Sequence, residues 1–154
     1  MLTKKNYFIF KPRFAETDMM QVVHHSRYWV WFEEARFAFI ENVLGMSVGD
    51  LETSKIFLPV IECSCSYINK IKWGNEFVIV TVLELNKSPY FIFHQEIYFS
   101  HDKDKSNPLC KSYVKKAFVD ENFKLKFQTP SFFKDSIKRS IMEEPSAFIK
   151  PQKI

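Results

Sequence analysis

Hydrophobic and polar positions alternate in the first strand-like stretch, residues 6–14, with Tyr7, Ile9 and Lys11 on one face and Phe8, Phe10 and Pro12 on the other. A short acidic loop follows, and the period then changes. From Ser26, whose hydroxyl suits a helix N-cap, a helical repeat runs to about Leu44 and stops at Gly45. Tyr28, Trp31, Phe32, Ala35, Ala38, Phe39 and Val43 make one broad apolar stripe. Val30, Phe37, Ile40 and Leu44 fall outside it, among Glu33, Arg36 and Glu41. A helix apolar beyond one face is enclosed on several sides. A sheet wrapped around a central helix supplies that enclosure.

The remainder reads mainly as strands. Residues 49–55 are polar and predict a loop or short helix, and β-rich segments cover 57–71, 76–85, 90–100 and 110–119. Gly74-Asn75 and Lys87-Ser88-Pro89 mark tight turns, so the first three segments are expected to pair in sequence as a meander. The charged run HDKDKSNP, residues 101–108, predicts an exposed hairpin tip. After Thr129-Pro130 a short amphipathic helix is expected over 131–142, and the tail from Glu143, with Pro145 and Pro151, is expected to be loosely ordered. One strand, one long helix and an antiparallel run of strands give an α+β class. At 154 residues the natural division is one domain, 1–142, followed by the tail 143–154.

Composition narrows the chemistry. With 46% hydrophobic and 17% aromatic residues the chain has ample material for a core. Only three glycines occur, and neither G-x-G-x-x-G nor a P-loop is present, which leaves no Gly-rich phosphate cradle. The net charge of +4 is spread over pairs such as Lys4-Lys5, Lys70-Lys72 and Lys115-Lys116 with acids between them, a pattern that disfavours nucleic-acid binding. Cys63 and Cys65 are two apart in a strand-like run and badly placed to bridge each other, while Cys110 is remote in sequence. Reduced, packed thiols point to a cytoplasmic protein. The N-terminus lacks a signal-peptide pattern, and no apolar run approaches the roughly 18 residues of a membrane span.

Four histidines raise the question of a metal. His24 and His25 are adjacent and expected to point apart, His94 and His101 belong to another region, and Cys63-Ser64-Cys65 lacks the spacing of a zinc knuckle. No metal site is expected. There is no G-x-S-x-G elbow either, and nothing ties a cysteine to a base.

The stretch RFAETDMMQVVHHSRYWVWFEEAR, residues 13–36, carries the strongest signal. It sets one carboxylate, Asp18, seven residues before His25, at the entrance to the apolar helix. The first N–H groups of a helix have no intrahelical partner and form its positive end. A carboxylate beside such donors suits acyl transfer, in which it attacks or takes a proton while the donors hold the developing oxyanion. Asp18 alone is equally compatible with a turn former or a charge that favours the helix dipole.

The order of Thr17, Asp18, Val22, Val23, His25, Tyr28, Phe32, Glu33, Ala35 and Arg36 resembles the 4-hydroxybenzoyl-CoA thioesterase family, including its YbgC-like acyl-CoA thioesterases, of the hotdog fold. Looser similarity continues to about Asn122. The resemblance implies an antiparallel sheet around a long helix, a homodimer or homotetramer with sites at a shared interface, and hydrolysis of an acyl-CoA or acyl-carrier-protein thioester without a cofactor. It implies Asp18 as nucleophile or general base, and the backbone N–H at His25 as the group that polarises the carbonyl. Tyr28 and Phe32 become candidates for the walls of the acyl slot, and Lys87 and Ser88 for contacts to coenzyme A. The mildly basic surface is compatible with either carrier. Two departures stand out: Phe14 is found where YbgC-like members usually carry Tyr, so any help from that hydroxyl is absent, and Met19-Met20-Gln21 replaces small residues and Gly, which bears on substrate choice. A non-catalytic acyl-binding protein and a hotdog dehydratase or hydratase are the alternatives.

Overall fold

A computed structural model describes residues 5–86 and 89–151. Strand β1 (Tyr7–Phe10) leads through a 3-10 turn (Phe14–Glu16) to helix α1 (His25–Asn42) and the short helix α2 (Val48–Ser54). Strands β2 (Val60–Tyr67), β3 (Phe77–Glu84), β4 (Tyr90–Phe99) and β5 (Cys110–Ala117) follow, then helix α3 (Ser131–Glu143) and a short strand β6 (Phe148–Ile149).

The sheet runs β1-β3-β4-β5-β2, antiparallel throughout, with β6 joined in parallel to the end of β3. The expected meander is therefore shifted by one strand. It is β3, β4 and β5 that pair in sequence, while β2 crosses to the far edge beside β5. Side-chain character explains the choice. Phe77, Val78, Ile79, Thr81 and Leu83 of β3 are buried, as a central strand requires. In β2 only Cys65 is even half-buried, a profile that belongs at an edge.

Helix α1 lies along one face of the sheet. Phe32, Trp31, Ala35 and Tyr28 pack with Phe77, Ile79, Ile97 and Ile71 toward its N-terminal end. Phe39, Ile40, Val43 and Leu44 pack with Leu83, Phe91, Phe93, Phe118 and Phe133 toward its C-terminal end. Gly45, at φ +65°, turns the chain out of the helix as anticipated. Helix α3 then caps α1. Ser140 Oγ donates to the Val43 carbonyl at 2.7 Å and Ser136 Oγ to the Leu44 carbonyl, so the helix's last carbonyls find donors inside the fold. The tail expected to be loosely ordered is packed instead: Ala147 is fully buried, and Phe148 and Ile149 pair with Leu83 and Glu84. Its two prolines flank a strand that fills the part of the β3 edge left free by β1.

A polar rung crosses the buried face beneath α1. Gln95 donates to Thr81 Oγ1 at 3.1 Å and to the Phe32 carbonyl at 2.9 Å, and accepts from Arg36 Nη1 at 2.8 Å. Buried amides persist when satisfied in this way. The connection from β2 to β3 crosses the end of the sheet. Val23 N–H donates to the Ile71 carbonyl at 2.9 Å, and Ile68 and Asn69 N–H both reach the Leu109 carbonyl at 3.0 Å. That crossing brings the C-terminal end of β2 to the N-terminus of α1.

Candidate active site

The Asp18 loop is closed by its own backbone. Asp18 N–H donates to the Val22 carbonyl at 2.9 Å and Gln21 N–H to the Asp18 carbonyl at 3.0 Å, with a bridge between Thr17 and Val23 beneath them. Gln21 takes a left-handed conformation at φ 60°, uncommon for a side-chain-bearing residue. Asp18 Oδ1 accepts from the Met20 N–H at 2.8 Å, the turn an aspartate favours. This leaves the half-buried carboxylate's other oxygen without a hydrogen bond among the described residues.

The near side of the loop is held by a buried acid that the sequence reading passed over. Glu16 is 5% exposed, and its carboxylate accepts from the Arg13 N–H at 2.7 Å and from Arg13 Nη2 at 3.3 Å. Its carbonyl accepts from the His24 N–H at 2.9 Å. The loop bearing Asp18 is thus tied at both ends.

The helix starts one residue earlier than expected. His24, not Ser26, is the N-cap: its extended backbone lets Nδ1 accept from the Ser26 N–H at 3.3 Å, and its carbonyl accepts from the Arg27 N–H at 3.0 Å. The same backbone swings the two imidazoles together, with ring centroids 4.2 Å apart, rather than pointing them apart. His25 N–H, the first of the helix, makes no hydrogen bond among the described residues. It stands at the positive end of an 18-residue helix.

Asp18, His25 and Tyr28 line one open cleft of about 490 Å³. Its other walls are Met20, Val22, Tyr67, Ile68, Asn69 and Lys70. Tyr67 hydroxyl donates to the His25 carbonyl at 3.4 Å, and its ring meets Tyr28 edge-on with centroids 5.0 Å apart. Burial pushes the Tyr28 hydroxyl up to about 12 and raises that of Tyr67, so both remain neutral donors. Tyr67, Asn69 and Lys70 were missed because their place depends on β2 reaching the far edge of the sheet. Phe32 is not a wall of this cleft. It is fully buried in the core, and its ring packs edge-on with Trp29. Lys87 and Ser88 lie outside the described residues.

Behind Tyr67, Cys65 and Cys110 bring their sulfurs within 3.3 Å across β2 and β5. The hydrogen bond between the two sulfurs lowers the Cys65 thiol and raises that of Cys110. Among the described residues no group of three or more His, Cys, Asp or Glu side chains could hold a metal ion.

A long helix laid against a sheet of this strand order, with a carboxylate at its entrance, is the architecture of a hotdog fold. The family profile described as the Thioesterase-like superfamily matches residues 12–137, and the chain belongs to that superfamily. Among curated relatives, "Putative acyl-CoA thioesterase YneP" of Bacillus subtilis (strain 168) is 38% identical over 72 residues, 47% of this chain and 51% of YneP. The match thus spans about half of that relative's length. Among solved structures, the DHNA-CoA thioesterase from Staphylococcus aureus superposes with a TM-score of 0.74 at 23% identity, covering 95% of this chain and 97% of the other. The gentisyl-coenzyme A thioesterase BH1999 gives 0.71 at 20% identity, covering 83% and 98%. At these identities the likeness is one of fold.

Proposed function

We propose that the protein hydrolyses acyl-CoA thioesters to a free carboxylic acid and CoA. One observation carries the reading: the Asp18 carboxylate and the unengaged first N–H of α1 line the same cleft. The thioester carbonyl accepts from the His25 N–H, and charge developing on its oxygen is stabilised by the helix's positive end. Asp18 either takes a proton from the attacking water or attacks the carbonyl carbon itself. In both routes the C–S bond breaks, the thiolate leaves as CoA and picks up a proton, and water supplies the second oxygen of the acid. No step calls for a metal or cofactor.

Tyr28 and Tyr67 form the aromatic side of the cleft and are assigned to the acyl group, with Lys70 and Asn69 at its polar side. The exposed Met19 and Met20 stand at the mouth, where their bulk restricts the acyl groups admitted. Lys87 and Ser88 remain assigned to the CoA moiety by resemblance. We assign the active form to a homodimer joined through β2, whose Val60, Ile61 and Tyr67 stay about half exposed at a free edge. A cytoplasmic location accords with three free thiols.

The test is thiol release from a panel of aromatic, short-chain and long-chain acyl-CoAs, with and without EDTA. Turnover of at least one class, unchanged by chelator, is the expected result. Binding without thiol release across the panel would leave an acyl-binding protein, and loss in EDTA with recovery on adding zinc would remove the carboxylate mechanism.

A further inference from the structure

A second cluster, on the other half of α1, has cations but lacks an anion. Arg36 is 5% exposed, and among the described residues its one hydrogen bond is the 2.8 Å contact to Gln95, while its buried Nε has no partner there. Ser112, next to Gln95 on β5, leaves its buried Oγ unpartnered as well. Half-buried Lys116 stands beside Arg36 and makes no ion pair among the described residues. Burial, with the Arg36 guanidinium beside it, holds this ammonium down at about 8, against a weaker pull from Glu33 at the rim. Two cations pressed together, with an orphaned donor and two exposed acids, Glu33 and Glu52, at the margin, leave a desolvation cost uncompensated.

The space around them is shaped for an apolar group. Arg36 and Lys116 line a small cavity of about 10 Å³ with Phe37, Ile40 and Glu33. A larger cavity of about 190 Å³ adjoins it through Phe37, Ile40 and Lys116, and its walls include Leu51, Ile56 and Leu58. Phe37, 45% exposed, forms a wall of both spaces.

We propose that this groove between α1, α2 and β5 binds an aliphatic monocarboxylate, the carboxylate between Arg36 and Lys116 and the tail along Ile40, Leu51, Ile56 and Leu58. The charge requires an anion, and the lining requires that it carry an apolar chain. Phosphates and nucleotides lack the chain, and alcohols and amines lack the charge. The site stands apart from Asp18 and does not depend on the thioesterase reading.

The probe is sodium octanoate, titrated calorimetrically into full-length Asp18→Asn protein, with octanol and octylamine as comparators. Octanoate is expected to bind saturably, octanol about tenfold more weakly or worse, and octylamine not at all. Arg36→Met and Lys116→Met should each weaken octanoate about tenfold or more. Arg36→Met keeps an apolar stem in place of a buried charge, a change folds usually tolerate. If that variant nevertheless unfolds, Lys116→Met alone decides. Octanoate should also raise the Lys116 pKa, read from its side-chain NMR resonance. Equal binding of octanoate and octanol, or octanoate binding untouched by Lys116→Met, would overturn the proposal. So would absence of octanoate binding together with a dimer whose dissociation shifts in Arg36→Met, which would assign the cations to a partner chain's carboxylate.

Discussion

Glu16 shows how much of the site rests on one side chain outside the reaction. Its carboxylate is buried, so the bond it accepts from the Arg13 N–H at 2.7 Å counts for more than its ion pair with a guanidinium that is 79% exposed. Glu16→Ala should therefore lower stability by about 1–2 kcal/mol, as losses of caps and buried acceptors do. It should also lower kcat, because the Asp18 loop loses its near anchor, with the pH profile unchanged. Thermal denaturation beside a pH–rate series checks both; wild-type stability in the variant would remove the anchoring role. Lys116 gives a second residue-level prediction, with a definite sign. It is held at about 8 in the fold against 10.5 for a free lysine, so between those pH values the unfolded chain binds more protons than the native one. Stability from this residue therefore rises with pH across that window, and below it the full cost of the buried charge is present. The difference in stability between wild type and Lys116→Met should shrink as pH climbs through the window; a constant difference would deny the shift.

At the scale of elements, local rules were legible where burial is one-sided and repeats are long. The α1 pattern from Tyr28 to Val43 predicted its helix, and Gly45 marked its stop; the enclosure expected around it holds for Ile40 and Leu44, whereas Val30 and Phe37 stay exposed. Strand order was not legible, because β2 and β3 are both β-rich and the sequence does not say which neighbour each will take. The physical arbiter is exposure, and the polar residues of β2 needed to be weighed as an edge signal. The same misplacement hid Tyr67, Asn69 and Lys70 from the cleft. The closeness of Asp18 and His25 was legible in the sequence because one short loop joins them, whereas the meeting of Cys65 with Cys110 depends wholly on β2 lying against β5. The exposed edge carries its own prediction. Light scattering at micromolar concentration should give at least a dimer, and Ile61→Lys, which sets a charge on the free edge, should shift it toward monomer with loss of turnover. A fully active monomer would sink the shared edge.

For the whole molecule, the architecture divides the work of α1 between its ends. Its C-terminal carbonyls are closed off by Ser136 and Ser140 of α3, which fixes the helix against the sheet. Its N-terminus is left open, with the first N–H making no hydrogen bond among the described residues, over a cleft built from two separate parts of the chain, 18–28 and 67–70. The sheet serves as the frame that brings those parts together, and Gln95 fastens the helix to it at mid-length.

The central claim is that the Asp18 carboxylate, assisted by a backbone donor, performs the hydrolysis. Its most direct test is the turnover of the best acyl-CoA substrate by Asp18→Asn and His25→Ala side by side. Asparagine keeps the size and turn-forming capacity of aspartate while removing its basicity and nucleophilicity, so thiol release should fall about a hundredfold or more with little change in stability. His25→Ala retains the N–H and should keep much more activity. Near-normal turnover in Asp18→Asn, with activity abolished in His25→Ala, would contradict the account and move the chemistry to the imidazole.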